Sequence, residues 1–80
     1  MQKDEYLKKL SHSLVSLPDS ERKDILADYD EHFQMGIADG RTEAEIAAAL
    51  GEPRSIGREY AALSLVRRAE EAPSPGGLSR

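Results

Sequence analysis

Five consecutive residues, Asp28-Tyr29-Asp30-Glu31-His32, hold the densest set of chemistry-bearing side chains in this 80-residue chain. Carboxylates beside an imidazole are the raw material of a cation site or an acid–base pair. On a helix Asp28 and His32 stand one turn apart and share a face. A two-metal carboxylate bundle needs Glu-x-x-His pairs on two helices and matching carboxylates on two more, and one such helix is all that can be drawn here. A calcium loop needs a third oxygen ligand and then glycine after Asp28-x-Asp30; His32 and Phe33 stand there instead. Acid–base catalysis needs a pocket that shifts a carboxyl pKa, which an exposed helix face does not supply. No serine sits in a strained nucleophile turn. The residues therefore point to no enzyme, no metal and no cofactor. They leave a solvated acidic face, with a hydrogen bond between His32 and Asp28 as its internal expectation. His12 reads as a lone surface histidine.

The element that carries this string is a long amphipathic helix, expected over residues 19–38. Ile25, Leu26, Tyr29, Phe33 and Ile37 recur at spacings of three and four and share one face. Asp24, Asp28, Asp30, Glu31 and His32 occupy the other. Gly36 weakens the last turn by about 1 kcal/mol relative to alanine, or lets another helix approach closely. Gly40 is placed to be the left-handed residue after the helix.

Three shorter helices complete the expectation. The first covers residues 2–15, with Tyr6, Leu7, Leu10 and Leu14 at helical spacing and Asp4–Lys8 and Glu5–Lys9 as exposed pairs, each contributing about 0.3–0.5 kcal/mol. Pro18 breaks the chain and restarts it, since proline is tolerated in a first turn. Ser16 is expected to cap the second helix, with Asp19 completing a capping-box-like arrangement. Leu17 then tucks back against the first helix, and the short connection makes the two antiparallel neighbours. Thr42-Glu43-Ala44-Glu45 is a capping box that opens a short third helix, 43–50, apolar at Ile46, Ala47, Ala49 and Leu50. Gly51 closes it, and Pro53 starts a fourth helix over 53–69, apolar at Ile56, Tyr60, Leu63 and Val66. The expected fold is thus all-α, a compact four-helix domain over residues 1–70 followed by a flexible tail or linker over 71–80. Its core is expected from Leu10, Leu14, Ile25, Leu26, Tyr29, Phe33, Ile46, Leu50, Ile56 and Tyr60.

Composition narrows the partners. The chain has no cysteine, so neither disulfides nor thiolate metal sites can support a small core. Net charge is −4, and its sign is uneven: nine acidic residues against three basic ones between Asp19 and Glu45, then Arg54, Arg58, Arg67 and Arg68 against Glu59 alone between Pro53 and Ala69. An acidic middle does not suit a phosphate backbone, whereas the arginine-bearing end suits an acidic partner, a membrane surface or the chain's own acidic helix. No signal peptide and no run of transmembrane length is present, so the chain as given is expected to be soluble and cytoplasmic.

Glu45 to Ile56 also has the outline of a DNA-binding helix-turn-helix around Gly51, with Arg54, Ser55 and Arg58 able to reach phosphates or base edges. Ile56 comes one residue too early after Gly51 for that packing, and Glu52 and Pro53 occupy the turn. Direct nucleic-acid binding is the alternative, not the expectation.

Taken together, Leu17-Pro18, Glu21-Arg22, Ile25-Leu26, Asp28-Tyr29, Glu31-His32-Phe33, Gly36, Gly40, Glu45-Ile46, Leu50-Gly51-Glu52-Pro53 and Ile56 resemble the HAAS signalling-domain family. The resemblance runs from about Lys3 to Leu63. It implies a non-catalytic helical module that often forms the cytosolic N-terminus of a bacterial membrane protein and works with a PadR-type transcription regulator. Pro73-Ser74-Pro75-Gly76-Gly77 would then be a linker to transmembrane helices, and the native protein would sit at the cytoplasmic face of the membrane. Asp28, Asp30, Glu31, His32, Arg54 and Arg58 are the partner-binding candidates. Glu31 and His32 are expected to brace the Leu50–Pro53 corner through a buried polar contact, or else to touch a partner directly. Self-association into a homodimer is a further expectation, because Leu65 and Val66 leave apolar surface that a second copy would cover.

Overall fold

Local backbone chemistry sets most of the helix ends. A computed structural model of the chain describes residues 1–71 and is all-α, with four helices and no strand among the described residues: α1 (Lys3–Ser13), α2 (Asp19–Ala38), α3 (Glu43–Leu50) and α4 (Pro53–Glu71). The tail expected from residue 71 lies, from 72 onward, outside the described residues.

The first helix stops earlier than its periodicity indicates. The residue before a proline is disfavoured in helical conformation, so Leu17 cannot continue a helix into Pro18. The chain turns instead, with the Leu14 N–H donating to the Ser11 carbonyl at 3.1 Å and the Leu17 N–H to the Leu14 carbonyl at 3.0 Å. That turn lets Leu14 and Leu17 both enter the core. It also overturns the capping expectation at Ser16. The N-cap position of α2 is Pro18, which has no side-chain acceptor, and no side chain caps this helix. Asp19 instead takes the Arg22 guanidinium at 2.6 Å.

The other boundaries follow their signals. At the end of α2 the Gly40 N–H reaches the Ile37 carbonyl (2.9 Å) and the Arg41 N–H reaches the Gly36 carbonyl (3.0 Å), with Gly40 at φ 89°. These two bonds form a Schellman motif. Thr42 Oγ1 accepts from the Glu45 N–H at 3.1 Å and Glu45 Oε1 accepts from the Thr42 N–H at 2.9 Å, which completes the capping box of α3. The N–H of Thr42 is the first cause holding the Glu45 carboxyl below the usual carboxylate range. Gly51, at φ 96°, turns the chain into α4.

Helix α1 is the hub, packing against α4, α2 and α3. It supplies Tyr6, Leu10 and Leu14 to a buried cluster completed by Leu17, Phe33, Ile46 and Ala47. Burial of side chains the size of Leu or Phe contributes about 1.5–3 kcal/mol each. The Tyr6 and Phe33 rings meet edge to face at 5.4 Å between centroids. Ile25, Leu26, Tyr29, Leu50, Ile56 and Tyr60 are partly buried around this cluster, with Tyr29 and Tyr60 edge to face at 6.5 Å. Tyr29 is thus half-buried rather than a central anchor, while Tyr6, absent from the expected core, lies at its centre.

Three of the large apolar expectations fail. Ile37 is 43% exposed, Leu63 60% and Val66 53%. Gly36, not Ile37, faces inward on α2, because Ile46 packs over it: a Cβ on Gly36 would lie 2.5 Å from Ile46 Cδ1. On α4 the buried positions are Pro53, Gly57 and Ser64, with Ile56, Tyr60 and Ala61 partly buried beside them. That inward face carries small residues where the apolar periodicity points to Leu63.

Helices α1 and α4 approach closely at Gly57. A Cβ there would lie 2.5 Å from Ser13 Cβ and 3.1 Å from the Ser13 carbonyl oxygen. Ser13 Oγ donates to the Leu10 carbonyl (2.8 Å) and approaches the Pro53 carbonyl (3.3 Å). A methyl group at residue 57 must therefore push α1 and α4 apart. Alanine gains about 1 kcal/mol of helix propensity over glycine, whereas overpacking of this kind costs about 1–3 kcal/mol. Gly57→Ala is expected to destabilise the domain by a net of about 1 kcal/mol in urea unfolding, and the loss should shrink when Ser13→Gly is introduced with it. Equal losses in both backgrounds would show that the two residues do not meet.

Candidate functional site

The acidic string of α2 divides once folded. Asp28, Glu31 and His32 are exposed, while Asp30 is partly buried. Asp30 Oδ1 pairs with Lys3 Nζ at 2.8 Å, and Asp30 Oδ2 accepts from Gln34 Nε2 at 2.7 Å. The backbone N–H of Lys3 donates to Glu43 Oε1 at 2.7 Å. Residue 3 therefore clasps α1 to α2 through its side chain and to α3 through its backbone. The hydrogen bond from Lys3 is the first cause holding the Asp30 carboxyl below its usual range, and the same bond raises the Lys3 ammonium. Asp30 is accordingly committed inside the domain.

Glu31 and His32 do not brace the Leu50–Pro53 corner. Neither takes part in a side-chain hydrogen bond or ion pair among the described residues, and the expected bond between His32 and Asp28 is absent. Phe33 and Gly36 are the buried positions of this part of α2, and Glu31 and His32 are exposed. His32 lines a shallow groove with Asp28, Tyr29 and Leu50. The corner is held by backbone: the Gly51 N–H reaches the Ala47 carbonyl at 3.2 Å, and the Ser55 and Ile56 N–H groups reach the Glu52 carbonyl at 3.1 and 3.2 Å. Burial first, and then Tyr60, pushes the Tyr29 phenol beside this groove up to about 12.

Arg54 and Arg58 lie elsewhere. They line a groove between α4 and α1 together with Lys8, Lys9, His12 and Ser13. The six partner-binding candidates thus separate into an exposed acidic edge on α2, a structural ion pair at Asp30, and a basic groove on α1 and α4. Of the two exposed pairs expected on α1, Glu5–Lys9 forms at 3.3 Å and Asp4–Lys8 does not.

Two polar features escaped the sequence reading. Tyr6 is fully buried and its hydroxyl has no hydrogen-bond partner among the described residues; burial first, and then Glu52, raises its pKa. Ser64 is buried on α4, donates to Glu21 Oε1 at 3.2 Å and accepts from Arg68 Nη2 at 2.8 Å, while Arg67 reaches the same Glu21 oxygen at 3.2 Å. This network ties α4 to the start of α2. Its signal is present in sequence as Gly57, Ala61 and Ser64 at helical spacing, a stripe of small residues instead of large apolar ones.

Helix α4 packs principally along α1, not against α3. A helix-turn-helix needs its two helices braced at a fixed angle by mutual packing, and α3 and α4 lack that brace. No group of three or more His, Cys, Asp or Glu side chains among the described residues is arranged to hold a metal ion. No described helix is long and apolar enough to cross a membrane. Leu63, Leu65 and Val66 are exposed on the outer side of α4.

A small helical core carries an exposed acidic edge on α2 and a basic groove between α1 and α4. The chain belongs to the HAAS family, whose model matches residues 5–59, from the first turn of α1 into α4. Membership makes it, in general terms, a signalling and interaction module. Comparison with curated proteins and with solved structures gave no match.

The Lys3–Asp30 clasp has a pH signature. A carboxyl held below its unfolded pKa adds stability above that value and loses it as pH falls through the folded value. Asp30→Asn should therefore flatten the decline of the urea midpoint between about pH 5 and pH 3, relative to the parent chain. Parallel declines would show that the pair contributes nothing in solution.

Proposed function

We propose that this domain is a non-catalytic module that docks a PadR-type transcription regulator and couples it to a signal, as the cytosolic N-terminal part of a longer bacterial membrane protein. The observation that carries this reading is the HAAS family match over residues 5–59. The surface is consistent with it: Asp28, Glu31, His32, Arg54 and Arg58 are all exposed, and none of them joins an ion pair among the described residues. Structural duties are assigned to other residues, which leaves these five free to meet a partner. In this reading the Pro73–Gly77 segment, rich in proline and glycine, is a spacer towards membrane-spanning helices.

A coupled role of this kind requires the domain to contact the regulator and not the regulator's DNA. In a pull-down with the PadR-type regulator encoded beside the gene, the purified chain should retain the regulator at micromolar concentration. In a gel shift with random duplex at low salt it should show no complex. Duplex binding that weakens steeply with salt, with no retention of the regulator, would replace this reading with direct DNA binding.

A further inference from the structure

We propose that the groove between α1 and α4 is where the partner docks, and that its occupant is an acidic helical segment of that protein, with carboxylates one turn apart. This rests on the interaction reading above and adds the site and the chemistry of the partner.

The groove lies beside a close contact between α1 and α4. Because Gly57 has no side chain, α4 approaches α1 at Ser13 until a Cβ could not fit between them. The approach brings two rows of basic residue types into one groove: Lys8 and His12 on α1, and Arg54 and Arg58 on α4, with Lys9 beside them. Each row repeats at four residues, the spacing that places side chains one above the other on a helix. Ser13 lies between the rows.

The groove's lysines and arginines are not neutralised from within. Lys3 is paired with Asp30, Arg22 with Asp19 and Arg67 with Glu21. In the groove Lys9 alone is paired, with Glu5 at 3.3 Å; Lys8, Arg54 and Arg58 have no ion-pair partner among the described residues. Unpaired like charges lining one groove repel one another, and an anion that joins them relieves that repulsion. The chain carries 15 acidic residues, yet none of them lines this groove.

The shape of the positive strip selects among anions. Asp4 and Glu5 stand one turn before Lys8 and Lys9, and Glu59 follows Arg58. The α1 row is therefore short and begins at carboxylates, while on α4 Glu59 stands beside the row in sequence. A DNA duplex or an anionic bilayer presents continuous negative charge and would press on those carboxylates as well. A helix with two carboxylates one turn apart matches the rows without meeting those flanking carboxylates, and arginine forks take carboxylates through paired hydrogen bonds.

The test uses the whole chain and a labelled alanine-based helical peptide with two glutamates one turn apart. Its glutamine counterpart, a DNA duplex and phosphatidylserine vesicles serve as comparisons, with binding read by anisotropy and by vesicle sedimentation. The glutamate peptide should bind and the glutamine peptide should not. The double variant Arg54→Glu/Arg58→Glu should lose about tenfold or more in affinity, and the milder Arg54→Gln/Arg58→Gln should lose less, both with unchanged helical circular dichroism. Equal binding of the two peptides, an unaffected variant, or tighter binding of duplex or vesicles through the same arginines would overturn the proposal. The regulator pull-down separates the two levels. Retention by the parent chain but not by the charge-reversed variant supports the groove. Equal retention by both overturns the groove and leaves the module reading standing. No retention by the parent chain removes the module reading, and the groove with it.

Discussion

The separation of α1 and α4 is set by backbone and by Ser13, because residue 57 has no side chain to hold the helices apart. Much of the domain follows from that spacing. Helix α1 lies close enough to α4 to present one face to it while its other faces meet α2 and α3, so Tyr6, Leu10 and Leu14 are surrounded on all sides. A chain of this length has little apolar surface to bury. It reaches a closed core by bringing helices near one another at small residues, Gly57 against Ser13 and Gly36 against Ile46, in place of adding bulk. The same economy explains the buried Ser64, whose hydroxyl is tied to Glu21 and Arg68.

The helices were legible in the sequence because their ends carry local signals. Thr42 and Glu45 form their capping box whatever surrounds them, and Gly40 and Gly51 stop helices through their own backbone freedom. Ser16 does not cap α2 because two local signals compete there. Pro18 displaces its neighbour from helical conformation, and the cap position moves to a residue that cannot cap. Large-residue periodicity located most of the interior, but it assigned Ile37 and Leu63 to the inside when Gly36 and Ser64 hold those positions. A stripe of small residues buries no large side chain, so a hydrophobic pattern does not register it. Its effect, close helix approach, depends on which second helix arrives.

The charged residues were harder to place, since helical spacing says which share a face but not what that face meets. Asp28, Asp30, Glu31 and His32 form one string in sequence and three environments in the fold: an ion pair with Lys3 for Asp30, open solvent for Glu31, and the edge of a shallow groove for Asp28 and His32. Arg54 and Arg58 gain meaning through Lys8, Lys9 and His12, more than forty residues away in the chain. Such a juxtaposition is a tertiary fact. With the HAAS framework spanning residues 5–59, the groove lies within the part of the chain that the family defines, and its Lys8, Arg54 and Arg58 join no ion pair among the described residues.

The central claim, that this module meets its partner where α1 and α4 converge, is tested most directly by an amide chemical-shift map of the labelled chain bound to the regulator. The account predicts shifts concentrated at Lys8–Ser13 and Arg54–Arg58. Shifts centred on Asp24–His32 of α2, or on the exposed Leu63–Val66 turn of α4, would contradict it.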